Sequence, residues 1–165
     1  MTVDQVVIGI DPGVSGYVAQ IRLSDLSVKI SKLGDIFSWG WGEITNHAIF
    51  IEKVQPRPSQ ALKGVVTSCV NYGVLKATMY WNDIEPTWIT PQTWQKALGL
   101  AKVWKRPRGM TDEAFSSWKY RERKKWHKRV ALELYPNVKA TLKNADALLI
   151  AEYGRQVLLK ESKYS

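Results

Sequence analysis

The sequence predicts an α/β fold in which a mixed sheet carries helices on its faces. Three observations lead there. Val6–Ile10 and Ala48–Ile51 are short, continuous apolar runs, as expected for strands buried on both sides. Gly16–Leu23 and Val28–Lys32 alternate and read as two more strands of an antiparallel meander. Helical periodicity then dominates the second half of the chain.

Asp11-Pro12-Gly13 ends the first strand with turn chemistry, and Ser24–Ser27 turns the second strand into the third. Trp39–Asn46, rich in Gly and polar residues, reads as a loop. The fourth strand ends at Glu52, and Pro56-Arg57-Pro58 punctuates the chain beyond it. Leu62, Val65, Val66, Cys69, Val70, Gly73, Val74, Ala77 and Trp81 recur at helical spacing. A long amphipathic helix from Ser59 to Trp81 is therefore expected, with Cys69 as a small core residue on its apolar stripe. Core packing is the simplest use of that stripe, and a contact with a second copy is the other candidate. Thr87–Ile89 is a short strand. Thr90-Pro91 fits the cap and first position of a helix through Leu98, stopped by Gly99. Lys102–Met110 reads as an exposed loop, and Thr111-Asp112-Glu113 as the cap of a basic helix ending before Pro136. Asn144 is expected to cap a last helix running to about Leu159. The order is β-β-β-β-α-β-α-α-α, read as one domain over residues 1–165.

The chain has 165 residues, with Lys+Arg 24 against Asp+Glu 15, a formal net charge of +9. Lys96–Arg129 holds twelve of the bases and three of the acids, so the remainder is neutral. A neutral body with one cationic segment predicts a polyanion footprint. Lys105, Arg106, Arg108, Lys119, Arg121, Arg123, Lys124, Lys125 and Lys128 are its candidate nucleic-acid contacts. Neutralising Lys124, Lys125 and Lys128 should weaken nucleic-acid binding more than it alters the affinity of the chain's carboxylates for a metal. Trp104, Trp118 and Trp126 share the window and Trp94 lies just before it; aromatics among charges can stack on bases, and some of the four are expected in the core instead. One cysteine excludes a disulfide framework and a Cys-based zinc site. No apolar run reaches the roughly 20 residues of a membrane span, and Met1–Asp4 lacks the features of an export signal. A cytoplasmic protein is expected.

Two carboxylates, Asp11 and Glu52, directly follow buried strands. If those strands are parallel neighbours, both emerge at one end of the sheet. Asp146 lies in the first turn of the last helix, beside Ala147–Ile150. A buried unpaired carboxylate is costly. A divalent cation would compensate it, and hard oxygen ligands favour Mg²⁺ or Mn²⁺ over Zn²⁺. Taken singly, a turn aspartate, a strand-end ion pair of Glu52 with Lys53 or Arg57, and a helix-dipole aspartate are the simpler readings. Their convergence favours a site. Gly9–Gly16 has no Gly-Lys-Ser/Thr and is no Walker A loop.

Ile8-Gly9-Ile10-Asp11-Pro12-Gly13, Phe50-Ile51-Glu52, Thr90–Lys96 and Asn144–Ala151 occur in the order and approximate spacing of RuvC-like Holliday-junction resolvases, members of the RNase H-like nucleases. The chain resembles that family from Val6 to about Tyr153, and in its overall shape a phage-encoded member. The resemblance implies an RNase H-like fold, a five-stranded mixed sheet with its first three strands antiparallel. It implies a homodimer that nicks two opposed strands of a four-way junction and leaves 5′-phosphate and 3′-hydroxyl ends. It also implies Asp11, Glu52 and Asp146 as ligands of two Mg²⁺ ions, about 3.5–4 Å apart, with Mn²⁺ able to substitute. Two positions depart from the family pattern. Lys143 stands where a fourth acid or a histidine is usual. It is a candidate catalytic contact to the scissile phosphate, and an exposed lysine is its equal alternative. Gln55 stands where bacterial members carry a stacking aromatic. A Trp-rich module that holds branched or single-stranded DNA without cutting it is the alternative function, and an RNA-directed RNase H is a third.

Overall fold

The computed structural model describes residues 5–38, 47–55 and 61–163. The expected loop at Trp39–Asn46, the Pro56–Pro58 punctuation and the start of the long helix at Ser59 lie outside these residues.

Strands β1 (Val6–Asp11), β2 (Tyr17–Arg22), β3 (Val28–Lys32), β4 (His47–Glu52) and β5 (Thr87–Ile89) form one sheet in the order β3-β2-β1-β4-β5. The first three are antiparallel, and β4 is parallel to both β1 and β5. A 3₁₀ helix over Leu33–Ser38, unexpected from the sequence, comes after β3. Helices α1 (Leu62–Trp81), α2 (Pro91–Ala97), α3 (Asp112–Leu134) and α4 (Ala145–Glu161) complete the order.

Alternation along the strands assigns each face its partners. Val7, Ala19, Ile21, Phe50 and Ile89 pack with residues of α2, α3 and α4. Ile8, Ile10, Val18, Ile49 and Ile51 pack with Leu33, Ile36, and Leu75 and Met79 of α1. The same alternation puts Asp11 on the face of Val7, and Glu52 on the face of Phe50, both the α4 face.

The contact between β1 and α4 is unusually close. A Cβ at Gly9 would lie 2.2 Å from the Ala151 backbone N and 2.4 Å from the Ala147 carbonyl oxygen. Small residues at Gly9, Ala147 and Ala151 let helix and strand backbones approach. That approach carries Asp146 toward the end of β1.

The helix caps agree with the sequence in part. Thr90 Oγ1 accepts from the Thr93 amide at 3.2 Å, and Thr111 Oγ1 from the Ala114 amide at 3.3 Å. Gly99 has φ +68°, as a helix-stopping glycine should. Asn144 behaves differently. Its Oδ1 accepts from the Thr141 amide at 2.6 Å and does not cap α4. Its side chain tightens the preceding turn instead.

The long helix corrects an expectation. Leu62, Val66, Val70, Val74 and Trp81 are exposed, and so is Cys69. Ser68, Leu75 and Met79 are the buried residues. The apolar stripe is not the core face, and Cys69 is not a core residue. Periodicity reports that a helix has two faces, and here the less apolar one meets the sheet.

Candidate active site

The parallel pairing of β1 and β4 sets Ile10 beside Ile51, so Asp11 and Glu52 leave adjacent strand ends. Asp146 arrives from the first turn of α4. All three line one open cavity of about 910 Å³.

Each carboxylate is held by a different element. Asp11 Oδ1 accepts from the Gly13 amide at 2.9 Å inside the Asp-Pro-Gly turn. Asn71 of α1 donates to the Gly13 carbonyl at 3.1 Å and fixes that turn from outside. Glu52 Oε2 accepts from Trp94 Nε1 at 2.7 Å, and the Trp94 side chain is fully buried. Asp146 Oδ1 lies 2.8 Å from His127 Nδ1, and its Oδ2 lies 2.6 Å from Lys124 Nζ. Lys124 and His127 stand three residues apart on α3, on the helix face that also buries Ala131.

The charges are unevenly compensated. Burial, and then the charge of Asp146, raise the Asp11 carboxyl, against Lys124 and the Gly13 amide. Burial, and then the charges of Asp11 and Asp146, push Glu52 up to about 8, against the Trp94 hydrogen bond. Asp146 is held well below the usual carboxylate range. Burial opposes this, but the hydrogen bond from His127 and the Lys124 charge prevail. Burial acts to lower the Lys124 ammonium, yet Asp146 and Asp11 hold it above its ordinary value. Three acids therefore share one close cation, and Asp11 and Glu52 are the two whose carboxyls are raised.

The donor set is chemically suited to a hard divalent cation. Asp11 Oδ2 and Glu52 Oε1 accept no hydrogen bond among the described residues, while the opposite oxygen of each is anchored. As arranged, no group of three or more His, Cys, Asp or Glu among the described residues is drawn together as a metal cluster. The Lys124 ammonium occupies Asp146 Oδ2 instead.

The basic residues separate into groups. Lys119, Arg121, Arg123 and Lys124 line the carboxylate cavity. Lys105 and Arg108 lie exposed on the loop before α3. Arg106 pairs with Asp112 and donates to the Met110 carbonyl, closing that loop. Lys125 pairs with Glu122 at 2.7 Å, and Lys128 is half-buried. Lys124 departs from the expectation of a peripheral contact. It is bonded to Asp146, so its loss must alter the carboxylate cluster directly. Lys143 is exposed on the cavity rim. Asp146 is compensated from α3, by residues that no sequence motif connects to it. The spacing of Lys124, His127 and Ala131 was the available signal. Trp94 gave none, because 42 residues separate it from Glu52.

No protein-family model and no curated protein sequence matches the chain. Solved structures do. The RuvC of Thermus thermophilus in complex with a Holliday-junction substrate is similar with a TM-score of 0.54 at 13% identity, over 93% of this chain and 96% of that one. The fold is RuvC-like. Another Thermus thermophilus RuvC structure gives 0.51 at 15% identity, over 96% and 97%. RuvC has the same RNase H-like arrangement of mixed sheet and flanking helices. Among the described residues no helix is long and apolar enough to cross a membrane.

Proposed function

We propose that the protein is a divalent-metal-dependent, structure-selective DNA endonuclease that resolves four-way junctions by paired nicking. The observation that carries this reading is the meeting of Asp11, Glu52 and Asp146 in one cavity whose α3 wall is cationic. The RuvC-like fold, and a neighbour described with a Holliday junction, support the substrate class. Asp11, Glu52 and Asp146 would hold Mg²⁺, or Mn²⁺ in its place. Such ions supply an activated water and charge stabilisation for the leaving 3′ oxygen.

The protein's own groups prepare that chemistry. The Gly13 amide, the Trp94 indole and His127 each fix one carboxylate before substrate arrives. Lys124 stabilises the Asp146 carboxylate and can turn to a phosphate oxygen when that carboxylate is otherwise engaged. Lys119, Arg121, Arg123 and Lys143, beside the same cavity, would hold the flanking phosphates. Lys105, Arg106, Arg108, Lys125 and Lys128 would extend the track along α3 and its preceding loop. A second copy is needed for two opposed cuts, and the exposed apolar face of α1 is the surface we assign to it. A phage origin and action in the host cytoplasm fit the same reading.

A second reading keeps the DNA and drops the cleavage. Its support is the Lys124–Asp146 bond, which already compensates one carboxylate. A labelled four-way junction incubated with Mg²⁺ separates the two. Cleavage by the natural protein and none by Asp11→Asn is expected. Equal cutting by both proteins, or salt-sensitive binding with no cutting in any metal, would sink the nuclease reading.

A further inference from the structure

One aromatic ring lines the carboxylate cavity among the described residues, that of Tyr120. Tyr120 is 51% exposed and stands within α3. Arg123 lies over the ring with its guanidinium carbon 5.5 Å from the centroid, and Lys124 Nζ lies 5.9 Å from it. The same Lys124 ammonium contacts Asp146 at 2.6 Å. An exposed ring, two cations and the carboxylates thus form one continuous surface. Gln55, which lines the same cavity, accepts a hydrogen bond from Gln92 at 3.3 Å and offers an amide but no ring.

An aromatic ring beside two cations matches a nucleotide, with a planar base for the ring and a phosphate for the charges. We propose that Tyr120 is the platform on which one unstacked nucleobase docks, next to the phosphate held at the carboxylates. This rests on the reading of the cavity as a DNA site and names the feature it selects. In continuous duplex the bases are stacked on one another and present no free face. At a branch point a base leaves the stack at less cost than within duplex, least where its pairing is already broken. Tyr120 therefore favours branched or unpaired DNA over linear duplex. Arg123 and Lys124 hold any phosphate and contribute affinity without that selectivity.

The test uses a four-way junction carrying 2-aminopurine beside the branch point, in metal-free buffer, so that binding is read without cleavage. The natural protein and Tyr120→Phe should change the probe's fluorescence alike. Tyr120→Ala should lose that change and bind the junction about tenfold more weakly. Its affinity for linear duplex should stay within about twofold. Tyr120→Gln, with circular dichroism to verify the fold, repeats the measurement with a polar side chain. Fluorescence and junction affinity unchanged in both variants would overturn the proposal, even if the junction is cut normally. Loss of the signal in a protein that never cuts would leave the docking platform standing and remove only the nuclease reading.

Discussion

The rings of Trp94 and His127 meet edge-on with centroids 5.3 Å apart, and each bonds a different carboxylate. Trp94 reaches Glu52 at the end of β4, and His127 reaches Asp146 at the start of α4. Both side chains are fully buried. Glu52 and Asp146, far apart in sequence, are thereby tied to one rigid contact between α2 and α3. Asp146 is ionised, so His127 Nδ1 must carry the hydrogen.

Trp94→Phe keeps most of the ring and removes the donor to Glu52. Leaving that buried acceptor unsatisfied costs about 1–3 kcal/mol. In a chain of this size that lowers the melting temperature by several degrees. Junction cleavage should fall more than junction binding, because Glu52 loses its orientation while the cationic wall is untouched. Thermal melts with paired binding and cleavage assays check this. Equal losses in both assays would show that Trp94 acts only on stability.

Lys124→Met removes the cation between Asp146 and the other two acids. Both partners are largely buried, with side chains 15% and 11% exposed. Breaking such a pair costs about 3–5 kcal/mol. Divalent ions should then stabilise the variant more than the natural protein, because ligand binding to the folded state raises stability by mass action. Melting curves with and without Mg²⁺ measure the difference. A variant whose melting point ignores Mg²⁺, Mn²⁺ and Ca²⁺ alike would argue against a metal site here.

Much of this arrangement is legible in the sequence, for a physical reason. Strand ends are marked locally, by an apolar run and then a charge, so Asp11 and Glu52 can be read directly. Asp146 is marked by its apolar neighbours. The groups that hold these carboxylates are not legible, because Trp94 and His127 act across the fold. A buried tryptophan and a buried histidine carry the same local pattern whatever they touch. The α1 stripe shows a related limit. Spacing reveals an apolar face but not whether the sheet or another surface covers it.

Gly9→Ala tests whether the close contact of β1 and α4 sets the site. The new methyl would meet backbone atoms of Ala147 and Ala151, which cannot rotate away. Overpacking costs about 1–3 kcal/mol, and more where backbone must shift. Gly154→Ala meets chiefly the Phe50 ring and a Val7 methyl, which are side chains. The Gly9 variant should therefore show the larger drop in melting temperature. It should also lose cleavage out of proportion, as α4 carries Asp146 away from Asp11. A harsher effect at Gly154 would contradict this account of the contact.

Val66→Lys and Val70→Lys place charge on the exposed face of α1, where both residues are more than half exposed. Neither should change the melting temperature of a monomer by more than a few tenths of a kcal/mol equivalent, as at most surface sites. If α1 pairs two copies, light scattering should show a dimer for the natural protein and monomers for the double variant. The two nicks in one junction should then become uncoupled. A double variant that stays dimeric would move the interface elsewhere.

Glu152 predicts the acid limb of stability. It is buried on α4, where Tyr135 and Arg155 donate to Oε2, and Arg155 and Gln156 to Oε1. Burial acts to raise its carboxyl, but the Arg155, Tyr135 and Gln156 hydrogen bonds prevail and hold it below its usual value of 4.5. The unfolded chain therefore binds this proton more readily than the folded one as pH falls. The stabilisation is complete above about pH 4.5 and disappears as pH drops through the lower folded value. Glu52 has the opposite sign. Raised to about 8, it makes the metal-free protein lose stability as pH climbs from 4.5 toward 8. Urea midpoints of the natural protein and Glu152→Gln across this range separate the two effects. The difference between them should be constant from about pH 6 to 8, well above the range in which Glu152 takes up its proton, and should narrow below about pH 4.5. A difference that persists unchanged at lower pH would mean that Glu152 contributes through packing and not through its charge.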